Sequence, residues 1–251
     1  MRVSRLYVDL PLASNEQVEL DDNSGHYVRT VLRLKKDDGI ILFNGKGGEY
    51  VGVLSEVSRK SVLVAVKSWS DRSVESPLHI TLGLGISRGD RMDWSVQKAV
   101  ELGAHQITPI ITERCVVQFK GEKKSQRLQH WQKIAQHAVE QSGRTVLPEL
   151  TEIEAIQNWV SNQSGLKIFL DPYAGQTLAG LKPDDMQVTL LTGPEGGFTD
   201  QERNIAKAAG FILVRLGSRI LRTETAAIGA MAAVQMLWGD FGVRGQNREE
   251  R

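Results

Sequence analysis

Two glycine-rich stretches late in the chain carry residue types that could hold a ligand. Thr192-Gly193-Pro194-Glu195-Gly196-Gly197-Phe198-Thr199 follows a short apolar run ending at Leu191. Leu216-Gly217-Ser218-Arg219-Ile220-Leu221-Arg222-Thr223-Glu224-Thr225 follows another, and each opens into a helical pattern. Glycine lets backbone N–H and C=O groups approach a ligand with no side chain between them. Pro194 fixes a backbone angle, so the first loop is shaped rather than slack. Two such loops about one αβ unit apart suit the ligand edge of an α/β sheet; a tight strand-to-helix connection would use the same glycines. The guanidinium fork of Arg222 suits phosphate or an ionising imide, whereas a pairing with Glu224 would be an ordinary surface ion pair. Glu195 could face a polar or cationic ligand group. Thr223 and Thr225 could cap the last helix and aim backbone N–H groups into the same pocket.

The elements that must position these loops alternate. Leu78, Ile80, Leu82, Leu84 and Ile86 occupy every second position, the period of a strand. Arg91–Leu102 reads as a helix closed by Gly103, Gln106–Ile111 as a strand, and Ser125–Ser142 as a longer helix closed by Gly143. Leu166–Leu170 and Val188–Leu191 read as strands. Thr199-Asp200-Gln201-Glu202 is a capping box opening a helix that stops at Gly210. Phe211–Leu216 reads as the last strand and Thr225–Trp238 as the last helix. Strands separated by helices imply a mostly parallel sheet, hence an α/β fold. The last helix is rich in small residues (Ala226, Ala227, Gly229, Ala230, Ala232, Ala233), which suits either burial within one subunit or a dimer interface.

Before the polar, serine-rich segment Ser68–Pro77 the rhythm differs. Short β-branched runs at Gly39–Phe43, Tyr50–Leu54 and Ser61–Val66 alternate with turn signals, including Asn44-Gly45 in a loop lengthened by Lys46-Gly47-Gly48. A small β-barrel-like domain with one short helix around His26–Leu34 is expected there. The division is residues 1–72 and 73–251.

Other chemistries find little support. Gly83-Leu84-Gly85-Ile86-Ser87-Arg88-Gly89 approaches a dinucleotide fingerprint, but its third glycine falls one position late and the first two lie inside the alternating strand. No GxxxxGK[ST] phosphate loop occurs. The five histidines lack zinc-ligand spacing, and neither Ser142 nor Ser218 sits in a G-x-S-x-G elbow. A single cysteine, Cys115, allows no intramolecular disulfide. The 251 residues are 41% hydrophobic and 24% charged, ordinary for a globular protein. The N-terminal stretch lacks the apolar core of a signal peptide and no run approaches membrane-spanning length, so a soluble, cytoplasmic protein is expected. A net charge of +1 says little. Local clusters say more: Arg29, Arg33, Lys35, Lys36 and Lys46 crowd one stretch, and Arg114, Lys120, Lys123, Lys124, Arg127 and Lys133 another. They permit RNA binding, and a solvated surface of mixed charge would look the same. The tail from Arg244 to Arg251 is polar and expected to fray.

The two glycine-rich loops resemble the cofactor loops of the SPOUT, or α/β-knot, RNA methyltransferases, and within them the chain is most similar to the RsmE family. The likeness extends to His26–Leu34, Asn44–Tyr50, Gln97–Gly103, Thr112-Glu113-Arg114, Trp131–Ala135 and Glu140-Gln141-Ser142-Gly143-Arg144. It implies an N-terminal PUA-like β-barrel for RNA contact and a C-terminal domain with a trefoil knot that binds S-adenosylmethionine. It also implies a homodimer and methylation of N3 of a uridine in 16S ribosomal RNA of the small subunit, with no metal. Related alternatives are a SPOUT enzyme acting on another RNA and a non-catalytic ribosome-assembly factor. On this resemblance the cofactor would lie on Leu191, Thr192, Gly193, Glu195, Gly196 and Gly197, and on Leu216, Gly217, Ile220, Leu221, Arg222 and Thr223. A third loop at Leu170-Asp171-Pro172 would complete the site. Arg222 would stabilise the imide anion, with Glu224, or else Glu195, as the base. Arg29, Arg33, Lys35, Lys36, Arg114, Lys123, Lys124 and Arg144 would hold RNA phosphates.

Overall fold

Leu6, Val8, Ile40, Leu42, Leu54, Val62, Val64 and Val66 form much of one buried core, because β-branched and aliphatic residues at every second position give a strand one apolar face. The computed structural model describes residues 3–116 and 121–242; Lys120 and the tail from Arg244 lie outside them. The chain divides into two units, Met1–Glu75 with Gln136–Leu147, and Ser76–Ala135 with Pro148–Arg251.

In the first unit, β1 (Ser4–Tyr7), β2 (Gln17–Glu19), α1 (Asp22–His26), β3 (Gly39–Phe43), β4 (Glu49–Val57) and β5 (Val62–Ser70) follow in sequence. They build a five-stranded sheet in the order β1-β3-β4-β5-β2, antiparallel except where β1 runs beside β3. The helix expected at His26–Leu34 starts earlier. Asp21 caps it by accepting the Ser24 N–H at 2.8 Å, and it continues as one π-helical turn, Tyr27–Val31, before Arg33 turns away at a φ of 54°. Between β3 and β4, Gly45, Gly47 and Gly48 all take positive φ, so this connection is the longer loop that the extra glycines require.

Residues 136–147 are bound into this unit by polar contacts. The Tyr7 N–H donates to Glu140 Oε1 at 3.0 Å, and Arg72 Nη1 donates to the Gly143 carbonyl at 2.8 Å. Arg144 pairs with Glu75 at 2.7 Å and is only 3% exposed. Its expected role on RNA phosphate is therefore corrected: the guanidinium is spent inside the protein, where a buried charge must stay paired.

The second unit comprises β6 (His79–Gly85), α2 (Asp90–Glu101), β7 (Ala104–Ile111), the first part of α3 (Glu122–Ser142), β8 (Glu149–Leu150), β9 (Glu154–Ala155) and α4 (Ile156–Val160). It continues with β10 (Leu166–Leu170), β11 (Gln187–Thr192), α5 (Asp200–Ala208), β12 (Ile212–Val214) and α6 (Thr223–Trp238). Its sheet runs β12-β10-β11-β6-β7-β8, with β9 also beside β7, and every pairing of these strands is parallel. Helices cover such a sheet, so its central strands are buried on both faces. In β6 and its flanks, Leu78, Ile80, Leu82, Leu84 and Ile86 are all buried. Gly83 and Gly85 serve the same strand. A Cβ on Gly83 would stand 2.5 Å from the Trp159 ring, and one on Gly85 would stand 2.6 Å from the Gly193 carbonyl carbon.

Several element ends differ from the pattern-based limits. The Thr199–Glu202 capping box is present and α5 ends at Ala208. The last strand is only Ile212–Val214 because the Phe211 N–H closes the preceding helix on Ala206 O, while the Arg215 N–H donates to Gln176 O. α6 starts at Thr223, two residues early, with Arg222 at its cap position and no side-chain cap bond. The expected threonine caps are thus corrected: Thr223 and Thr225 already lie in the first turn.

Candidate functional site

β10, β11 and β12 are neighbours in the parallel sheet, so the loops leaving their C-terminal ends emerge side by side. This is where open α/β sheets bind ligands. Those loops, with the start of α6, wall a cavity of about 400 Å³, within the range of small-molecule sites. Leu170, Asp171, Pro172 and Tyr173 come from the first loop; Thr192, Gly193, Pro194, Glu195, Gly196, Gly197 and Phe198 from the second. Ile220, Leu221, Arg222, Thr223 and Ala226 come from the third and from α6, while Arg91, Arg114 and Arg203 reach the wall from elsewhere in the same unit. A smaller hollow of about 60 Å³ is lined by Leu216 and Arg219 and shares Leu170, Asp171, Pro172, Leu221 and Ala226 with the main cavity.

Most of the expected cofactor residues are brought together here. Leu191 is not on the wall, because its side chain is buried in the core with Phe169 and Trp159, and Gly217 lines neither hollow. The glycines of the second loop make close approach possible. A Cβ on Gly193 would meet the Phe198 ring at 2.8 Å, and one on Gly196 would meet the Arg114 carbonyl oxygen at 2.6 Å.

Charge pairs hold the first two loops. Glu195 Oε1 accepts the Arg88 N–H at 3.0 Å and Arg91 Nη1 at 3.1 Å, which ties the glycine loop to the start of α2. Asp171, buried, accepts the Tyr173 N–H at 2.8 Å on one oxygen and Arg203 Nε at 2.6 Å on the other. Burial pulls the proton affinity of the Arg203 guanidinium down, but the hydrogen bond and charge of Asp171, with those of Asp200, outweigh it and raise it overall. Glu202 bonds both the Thr199 N–H and the Glu113 N–H at 2.8 Å, fixing α5 to the segment that carries Arg114.

Arg222 is exposed on the cavity wall and makes no ion pair among the described residues. The Arg222–Glu224 pair weighed from the sequence is absent among them. Glu224 does not line the cavity, and its Oε2 is buried without a hydrogen-bond partner among the described residues; so is Thr192 Oγ1, on the cavity wall. Sequence patterning missed Arg91, Tyr173 and Arg203 as neighbours of the site. The only local signal for them was the Asp171-Pro172 turn, since Arg91 and Arg203 lie on helices whose faces meet the loops only in three dimensions.

Two domain families match. The RNA methyltransferase domain covers residues 74–235, and the RNA methyltransferase PUA domain covers residues 20–67. The ribosomal RNA small subunit methyltransferase E of Buchnera aphidicola from Schizaphis graminum is 36% identical over 96% of this chain and 98% of its own length. The enzyme of the same name from Neisseria gonorrhoeae, solved bound to S-adenosyl methionine, superposes with a TM-score of 0.89. It is 38% identical over 96% of this chain and all of that chain. The chain belongs to the ribosomal RNA small subunit methyltransferase E family.

Membership extends over both units. A Legionella pneumophila protein solved with the cofactor SAM bound shares 37% identity and a TM-score of 0.92, covering 96% of this chain and 100% of that one. The fold is therefore the SPOUT-type α/β fold with an N-terminal PUA domain, and the chain is an RNA methyltransferase. Of the expected RNA contacts, Arg33, Lys35 and Lys36 are exposed on the first unit and Arg114 and Lys123 on the second. Arg29 is partly buried and donates to the Ser58 carbonyl at 3.1 Å, and Lys124 stands 4.0 Å from Glu152.

Proposed function

We propose that this chain transfers the methyl group of S-adenosylmethionine to N3 of a uridine in 16S RNA of the small ribosomal subunit. The observation that carries this is the convergence of three loops, two of them glycine-bearing, on one cavity with an exposed arginine on its wall. The cavity fits the cofactor in kind. Leu170, Phe198 and Leu221 offer apolar surface, the unpartnered Thr192 Oγ1 offers a hydrogen-bonding group, and Gly193 and Gly196 leave backbone uncovered.

S-adenosylmethionine supplies a methyl group on a sulfonium cation, which a nucleophile must approach in line. Uracil N3 carries a proton and attacks poorly until that proton leaves. Arg222 provides a preorganised cation for the imide anion, and the rigid loops hold the reactants in one orientation. Asp171 and Glu195 are occupied by Arg203 and Arg91, so each positions its loop. Glu224, in the first turn of α6, has an unpartnered Oε2 but lies off the cavity wall, so to take the N3 proton its side chain must first turn into the cavity. A base within folded RNA must be turned out of its stack to enter such a site.

The basic residues of 1–72, with Arg114, Lys123 and Lys124 in 73–251, would hold the surrounding phosphates, so transfer should weaken as salt rises. A homodimer is supported by the outward face of α6, where Gly229, Met236 and Leu237 are exposed and small residues permit close packing. No described helix is long and apolar enough to cross a membrane; a ribosomal RNA substrate supports a cytoplasmic location. Arg222→Ala tests the central role: transfer should fall by about 10²–10³-fold while calorimetry shows unchanged cofactor affinity. Lost affinity with undiminished transfer at saturating cofactor would remove Arg222 from the chemistry.

A further inference from the structure

Tyr173 is a large aromatic left 78% exposed, although it lines the same cavity as buried Leu170, Thr192 and Phe198. Its root is firmly held. Pro172 restricts the preceding backbone, and the Tyr173 N–H is fixed by Asp171, which Arg203 grips in turn. A side chain so exposed gains little from packing, yet its backbone is anchored by a buried charge pair. The cavity thus has a buried floor and an exposed rim that includes Tyr173, Ile220 (76% exposed) and Arg222, with Arg91, Arg114, Pro172 and Glu195 also exposed along it.

We propose that Tyr173 is the platform on which the acceptor base stacks when it enters the cavity. This rests on the reading above that the acceptor is a base turned out of folded RNA. Such a base loses its stacking neighbours and needs a replacement π-face; aromatic side chains provide one without regard to base identity. Tyrosine offers that face with few rotatable bonds to immobilise. A planar ligand arriving from solvent meets the rim before the floor. Tyr173 then takes the face of the ring, and Arg222, on the same rim, its ionising edge. The buried floor is left for the cofactor.

The test compares Tyr173→Ala, Tyr173→Phe and wild type on small ribosomal subunits lacking native methylation. The measurements are RNA concentration dependence of transfer, retention of 16S RNA on filters, cofactor affinity by calorimetry, and oligomeric state by light scattering. Tyr173→Ala should raise the RNA KM and weaken RNA retention about tenfold or more, with cofactor affinity and oligomeric state unchanged. Tyr173→Phe should match wild type, since it keeps the ring. Equal damage in both variants would show that the hydroxyl matters and overturn the stacking role. So would a matching loss of cofactor affinity, a change of oligomeric state, or no effect of Tyr173→Ala at all. A product other than 3-methyluridine from wild type would contradict the uridine reading alone. The platform is still read on whichever base is labelled, and by RNA retention without any transfer.

Discussion

Asp171 shows how one buried carboxylate governs a loop. It accepts the Tyr173 N–H and pairs with Arg203 Nε, so Asp171→Asn keeps a backbone acceptor but removes the charge that satisfies the guanidinium. A charged hydrogen bond lost from a buried site costs about 1–3 kcal/mol, and chemical denaturation should show a loss of that order together with weaker cofactor binding. Unchanged stability would mean the pair is replaced by water at no cost. Two tyrosines of the first unit respond to alkali instead. Burial, helped by Asp9, raises the Tyr7 phenol above its usual 10.0, and burial helped by Glu140 does the same for Tyr27. Both groups hold their proton to higher pH folded than unfolded, so their stabilisation is complete below pH 10 and is lost as pH rises through the raised values. A pH series of thermal melts should show that decline, and the Tyr7→Phe/Tyr27→Phe double variant should flatten it; an unaltered profile would place the alkaline sensitivity elsewhere.

Elements differ in how far local pattern reveals them. The alternating apolar residues of β6 and the Thr199–Glu202 box are read from neighbours a few positions apart, and both are present. The start of α1 rests on Asp21, a cap that an apolar-period reading from His26 passes over. β12 is shortened by bonds to Ala206 and Gln176, the second of which no local window contains. Arg144 carries the same lesson for the site: within the family-like block Glu140–Arg144 it reads as an RNA contact, but its partner Glu75 lies 69 residues away. Gly85 is the sharpest case, because its missing side chain is explained only by the Gly193–Pro194 backbone of a strand neighbour's loop. Gly85→Ala should therefore push on that loop, costing about 1–3 kcal/mol as overpacking does, and should weaken cofactor affinity in calorimetry. Wild-type affinity in a variant of wild-type stability would show that the loop yields freely.

For the whole molecule, two kinds of information combine. Alternating strands and helices predicted a parallel sheet with a ligand edge, and the cavity lies at the ends of β10, β11 and β12. The α/β knot came with the family resemblance instead, since connection rules argue against threading a chain through its own loop. Membership in the ribosomal RNA small subunit methyltransferase E family, spanning nearly the full chain, joins a PUA domain to an RNA methyltransferase domain. The proposed acceptor atom is N3 of uridine, made reactive beside Arg222. The most direct measurement is transfer of labelled methyl from S-adenosylmethionine to small ribosomal subunits lacking native methylation, followed by nuclease digestion and identification of the labelled nucleoside. The account predicts label in 3-methyluridine. Label in another nucleoside, or none despite measured cofactor binding, would contradict it.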